Sequence, residues 1–98
     1  MNNAITLELA RFKVSPDNVD AMLADRPGAI EHISGAYPAF VGSRLVRLGP
    51  DEFMDIVEWT SLEAANKAAE EVPEHPECQL YFRHMSELVS MDHATVVA

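Results

Sequence analysis

Two strand-like runs joined by a tight turn constrain this chain more than anything else in it: Phe40-Val41-Gly42-Ser43-Arg44-Leu45-Val46-Arg47-Leu48, then Gly49-Pro50-Asp51-Glu52, then Phe53-Met54-Asp55-Ile56-Val57-Glu58-Trp59-Thr60. Branched and aromatic side chains suit a pleated strand, and the proline stands at the turn position that favours its fixed φ. A hairpin set between helical patterns and two outer strands gives the order β-α-β-β-α-β. Right-handed crossovers in that order put both helices on one side of a single four-stranded antiparallel sheet.

Local signals place the remaining elements. The first strand is predicted from Ala4 to Phe12, where Ile5, Leu7 and Leu9 alternate with Thr6, Glu8 and Ala10. Ser15-Pro16-Asp17 supplies a cap oxygen, a proline and an anion for a helix start. Its buried stripe reads Val19, Met22, Leu23, Ile30, Ile33 and Tyr37, and Pro27-Gly28 predicts a kink or break near Arg26. Thr60-Ser61-Leu62-Glu63 has the capping-box pattern and opens a second helix, whose Ala64, Ala65, Ala68 and Ala69 permit close approach to the sheet. Pro73 closes it. Pro76 opens a further helix predicted through Leu80, Tyr81, Phe82, Met85, Leu88 and Val89, and the last strand is predicted from Met91 to Val97.

If the hairpin turn has two central residues, Leu48 lies across from Phe53, Val46 from Asp55, Arg44 from Val57 and Gly42 from Trp59, all on one sheet face. Apolar residues then occupy both faces, since Met54 and Ile56 point away from Phe53, Val57 and Trp59. Helices cover one face only. The simplest cover for the other is a second copy of the same sheet, so a homodimer is expected.

With 98 residues the chain makes one domain, residues 1–98, and its 48% apolar content makes it globular. A formal net charge of −9 repels phosphate backbones and anionic lipid heads, which argues against nucleic-acid or membrane partners. Cys78 is the single cysteine, so no internal disulfide forms. No apolar run is long enough to span a bilayer and no secretory pattern is visible, which makes the cytoplasm the expected location.

Several side chains could carry chemistry. Asp55 sits in an apolar strand, where burial disfavours a carboxylate's charge unless a cation lies beside it; Arg44, diagonal to it in the register above, is the expected partner. Asp55 is then either half of a structural pair or a proton acceptor. Trp59 ends the same strand face and is either core or the stacking wall of an aromatic ligand site. His75, in the loop Pro73-Glu74-His75-Pro76, can exchange a proton near neutral pH, or it faces water at a helix entry. Tyr81, Arg83 and His84 lie within one helical turn and either reach a cavity or decorate the surface. His32 falls off the apolar stripe and is expected in solvent, and His93 is expected in a structural or dimer-facing role. No spacing typical of metal ligands, no glycine-rich phosphate loop and no nucleophile elbow is present, so neither a metal nor another cofactor is expected.

Met54-Asp55-Ile56-Val57-Glu58-Trp59-Thr60-Ser61-Leu62-Glu63-Ala64, the alanine-rich helix after it, His75-Pro76 and the aromatic Tyr81-Phe82 together resemble the antibiotic-biosynthesis-monooxygenase-like family. Tyr37-Pro38-Ala39-Phe40-Val41-Gly42 is similar to that family's proline-glycine-aromatic entry to the second strand, and the likeness runs along nearly the whole chain. It implies a ferredoxin-like protomer, a dimer whose two sheets form an α+β barrel, and a pocket between helices and sheet. Members include cofactor-independent oxygenases of phenols and quinols, and haem degraders. The phenol oxygenases carry an asparagine four positions before the tryptophan, where this chain has Asp55, and a tyrosine six positions after it, where this chain has Ala65. Trp59 matches, and Arg83 is the counterpart of a helix arginine. Leu9, Cys78 and Ala68 stand near the haem degraders' functional positions, so the resemblance does not extend to haem.

The expectation is therefore a cytoplasmic homodimer that binds an aromatic phenol or quinol and oxygenates it without metal or flavin. Trp59 would be the wall, with Tyr81 beside it, Asp55 or His75 the base, and Arg44 or Arg83 the cation that holds the developing anion. With proton transfer alone, the same set serves an isomerase. The alternative is a non-catalytic binding or interaction module whose pocket is filled by its own side chains.

Overall fold

Burial alternates residue by residue along the two middle strands, and this alternation sets which side of the sheet meets the helices. The computed structural model describes residues 4–98. Its elements are β1 (Thr6–Val14), α1 (Val19–Ala36), β2 (Phe40–Gly49), β3 (Glu52–Trp59), α2 (Leu62–Glu71), α3 (Pro76–Phe82) and β4 (Met85–Thr95). The strands lie in the order β2-β3-β1-β4 and every neighbouring pair is antiparallel. This is the ferredoxin-like α+β arrangement expected from the hairpin. Thr6, Glu8, Phe12 and Val14 of β1 and Phe53, Asp55, Val57 and Trp59 of β3 are buried on the helix side. Leu7, Leu9, Met54 and Ile56 lie on the opposite face with Val46 of β2, all part-exposed.

The hairpin turn has the two central residues expected, since Gly49 pairs with Glu52, but the register beyond it differs. A bulge at Leu48 brings Arg47 opposite Phe53, Leu45 opposite Asp55 and Ser43 opposite Val57. One extra residue in a pleated strand sends the side chains beyond it to the other face, until a second shift at Val41 returns Phe40 to the helix side opposite Trp59. Arg44 accordingly pairs with Ile56 on the face away from Asp55, which corrects the expected Arg44–Asp55 pairing.

α1 runs unbroken through Pro27, against the expected kink or break. Pro27 and Gly28 both face solvent, where water can satisfy the carbonyl that proline leaves free, and the buried Val19, Met22, Ala29 and Ile33 hold the helix to the sheet on either side. Leu23, placed in the stripe by sequence, is 46% exposed. Ser15-Pro16 starts a single 3₁₀ turn, Pro16–Asn18, ahead of α1 rather than α1 itself.

The second crossover differs most from expectation. Ser61, not Thr60, caps α2, its Oγ accepting from the Ala64 N–H at 3.1 Å. Buried Ala65 and Ala68 bring α2 close over the sheet. α3 stops at Phe82, and Met85 to Val89, expected as helix, form the first half of β4. Pairing with β1 from Val14–Met85 to Thr6–Thr95 outweighs the helical apolar pattern there. Among the described residues no helix is long and apolar enough to cross a membrane.

Candidate active site

Asp55 and Glu8 stand on the helix side of adjacent strands, for Ala10 pairs with Asp55 and Glu8 with Val57. They are diagonal neighbours under the helices, 6% and 8% exposed. Asp55 is held from two directions. Arg26 of α1 donates from Nε at 3.0 Å and from Nη2 at 2.7 Å to Oδ1, and the Tyr81 hydroxyl donates to Oδ2 at 2.5 Å. Arg26 Nη2 also reaches Ser43 Oγ at 3.0 Å. Burial, and next the Asp55 charge, push the Tyr81 phenol well above its ordinary range, which keeps it a donor.

Glu8 lacks such a clamp. His93 Nε2 lies 3.6 Å from its Oε2, beyond hydrogen-bonding distance. Burial raises its pKa above the ordinary 4.5, the nearby Asp55 adds to the rise, and His93 and the Trp59 N–H only partly oppose it. Trp59 is 1% exposed, and among the described residues its indole N–H makes no hydrogen bond of ordinary geometry, although it lies near enough to Glu8 to favour that carboxylate's charge. The rings of Tyr37 and Phe40 meet the indole edge-on, with centroids at 6.0 and 5.7 Å.

Glu8, Asp55 and Trp59 floor a cavity of about 280 Å³. Ile30 and Ile33 of α1, Ala68 and Ala69 of α2, and Tyr81 and Phe82 of α3 form its walls. Leu88 and Met91 of the edge strand β4 also line it, and both are solvent-exposed, so the mouth opens there. The interior is otherwise apolar, with polar groups confined to the floor. Such a site can take a flat aromatic molecule against its apolar walls and offer a desolvated carboxylate as base.

Of the residues singled out by sequence, Asp55, Trp59 and Tyr81 come together here. Arg44 is on the far face of the sheet. Arg83 lies outside the cavity, 3.3 Å from Asp25, and His84 Nε2 is 2.7 Å from the same carboxylate. The His84 hydrogen bond first, and then Arg83, hold Asp25 below its usual range. His75 also lies outside the cavity lining, in a cluster of its own: its Nδ1 is 2.8 Å from His32 Nε2 and its Nε2 is 3.4 Å from the Tyr37 hydroxyl. His32 is thus half-buried against a partner, not solvated as expected. Burial, with the Tyr37–Glu71 hydrogen bond, pushes the Tyr37 phenol up to about 12.

Sequence reasoning missed Arg26 and Glu8. Both left a signal: Val19, Met22, Arg26, Ala29 and Ile33 recur at steps of three and four with a cation in the middle, and Glu8 is in phase with Phe12 and Val14.

No protein-family model matches this sequence, and no curated protein matches it. Solved structures do match in shape. A candidate antibiotic biosynthesis monooxygenase from Bordetella bronchiseptica superimposes with a TM-score of 0.80 at 17% identity, over 97% of this chain and 99% of that one. A second, from Caulobacter crescentus CB15, gives 0.74 at 11% identity over 98% and 92%. SnoaB, a cofactor-independent oxygenase from Streptomyces nogalater, in an asparagine-to-alanine mutant form, gives 0.58 at 20% identity over 99% and 94%. At these identities the likeness establishes a shared fold, as the sequence resemblance implied.

Proposed function

We propose that this chain, which shares its fold with proteins named antibiotic biosynthesis monooxygenases, is a homodimeric, cofactor-independent oxygenase of a small aromatic phenol or quinol. The observation that carries this reading is the apolar cavity with a desolvated carboxylate, Glu8, on its floor beside Trp59. At about 280 Å³ it lies just below the usual range of ligand pockets, roughly 300–1,000 Å³, which favours a compact ring system of few fused rings.

In this reading Glu8 takes the phenol proton. The phenolate passes one electron to dioxygen, and the resulting radical and superoxide join at a hydrogen-bearing ring carbon ortho or para to the oxygen. Loss of that carbon's proton and of hydroxide, which leaves as water with the proton from Glu8, gives a quinone. One phenol and one dioxygen become one quinone and one water. The protein contributes a base and exclusion of water. Asp55 fixes Tyr81 and Arg26, and through them the cavity wall.

A homodimer fits the same picture. Leu7, Leu9, Val46, Met54 and Ile56 make a half-exposed apolar surface on the open face of the sheet, and a second sheet packed against it would remove that surface from water.

The test is oxygen uptake with a panel of hydroquinones and anthrone-type phenols, alongside quenching of the single tryptophan. Uptake with at least one member, reduced on the order of 100-fold or more in Glu8→Gln, is expected. Quenching without uptake would instead support the non-catalytic binding module, and uptake unchanged in Glu8→Gln would remove the assigned base.

A further inference from the structure

We propose that His32, His75 and Cys78 form a zinc site where α1 meets the start of α3, apart from the carboxylates of the cavity. His32 comes from the C-terminal half of α1, while His75 and Cys78 are three residues apart across the entry to α3. His32 Nε2 and His75 Nδ1 approach to 2.8 Å with their rings edge to face, and these atoms and the Cys78 sulfur all lie within 4.8 Å of one another. Zinc bonds of about 2.0–2.1 Å to nitrogen and 2.3 Å to sulfur set tetrahedral ligand atoms about 3.3–3.6 Å apart. Separating the two imidazoles by about half an ångström and bringing the Cys78 sulfur, now within 4.8 Å of both nitrogens, in to that spacing therefore makes room for an ion.

Three further features fit the assignment. The Tyr37 hydroxyl donates to Glu71 Oε1 at 2.9 Å, so its oxygen is free to accept from His75 Nε2–H at 3.4 Å. That arrangement leaves the His75 Nδ1 lone pair facing His32 and Cys78, and Glu71–Tyr37–His75 is the kind of outer-shell chain that orients a metal-bound imidazole. The Glu77 carboxylate lies 3.8 Å from His32 Nε2 and is exposed, so it or a water can complete four-coordination. Two imidazoles and a thiolate also suit zinc better than magnesium or calcium, which prefer oxygen.

Binding would release one proton, that of the Cys78 thiol, while His32 moves its proton to the other ring nitrogen. The site would tie α1 to α3 and anchor the segment that carries Val72 and Pro73 into the cavity wall. It does not depend on the oxygenase reading.

The experiment titrates chelator-stripped, tag-free full-length protein with Co²⁺ as a spectroscopic stand-in for zinc. One equivalent per chain should produce the visible bands of a tetrahedral site and a thiolate-to-cobalt charge-transfer band, both abolished by competing Zn²⁺. Cys78→Ser should lose the charge-transfer band. His32→Gln, at a half-exposed position where folding is not at stake, should weaken binding more than about tenfold, and Tyr37→Phe should weaken it by about tenfold or more. Absence of the charge-transfer band in the parent protein would overturn the proposal, as would a band undiminished in His32→Gln.

Discussion

Asp55 shows how a buried carboxylate becomes tolerable in an apolar layer. The Arg26 guanidinium and the Tyr81 hydroxyl between them engage both of its oxygens, and the guanidinium is itself shielded from solvent. Removing the cation alone leaves an uncompensated buried charge, so Arg26→Met should destabilise the fold by about 3–5 kcal/mol in urea denaturation. Arg26→Met combined with Asp55→Asn should recover much of that loss, because the charge goes with its partner. Glu8 gives a prediction of the opposite kind. Its folded-state pKa is raised above 4.5, so the native state retains a proton that the unfolded chain has already released. The associated stability is fully present below the unfolded value and is lost as pH rises through the folded one. Glu8→Gln removes that loss. Its melting temperature relative to the parent protein should therefore climb as pH rises above about 4.5. At this scale the sequence was partly legible. Asp55, Trp59 and Tyr81 stood out because polar or flat groups interrupt apolar patterns. Arg26 stayed hidden because the Pro27-Gly28 beside it drew attention to a break that the packed helix does not make.

The elements were readable where the local chemistry was unambiguous. The hairpin turn and the overall order followed from proline, glycine and alternation, whereas the α3–β4 boundary did not, because Met85, Leu88 and Val89 satisfy helical and strand patterns alike until β1 is there to pair with them. Two substitutions probe the helices directly. Ser61→Ala removes the hydrogen bond to the Ala64 N–H and should cost about 1 kcal/mol, whereas Thr60→Ala at the neighbouring position should have almost no effect in the same urea titration. Pro27→Ala restores an amide to the exposed side of α1 and should stabilise the protein by about 1–3 kcal/mol, measured the same way.

For the molecule as a whole, the decisive surface is the open face of the sheet. Ile56 stands near its middle, paired with Leu9 on one side and Arg44 on the other. If two sheets pack there, the parent protein should sediment as a dimer at micromolar concentration and Ile56→Lys as a monomer, because a desolvated like-charge pair across the two-fold would outweigh the remaining contacts. The bulge at Leu48 bears directly on this arrangement. Ironing the bulge out with its residue kept, so that Leu48 pairs with Phe53, would turn Ser43, Leu45 and Arg47 outward and bring Arg44 and Val46 inward, exchanging the helix-side set of β2 for its outer set in a single step. A one-residue slip on this hairpin thus decides which side chains of β2 meet the helices and which lie on the open face, with no substitution at all.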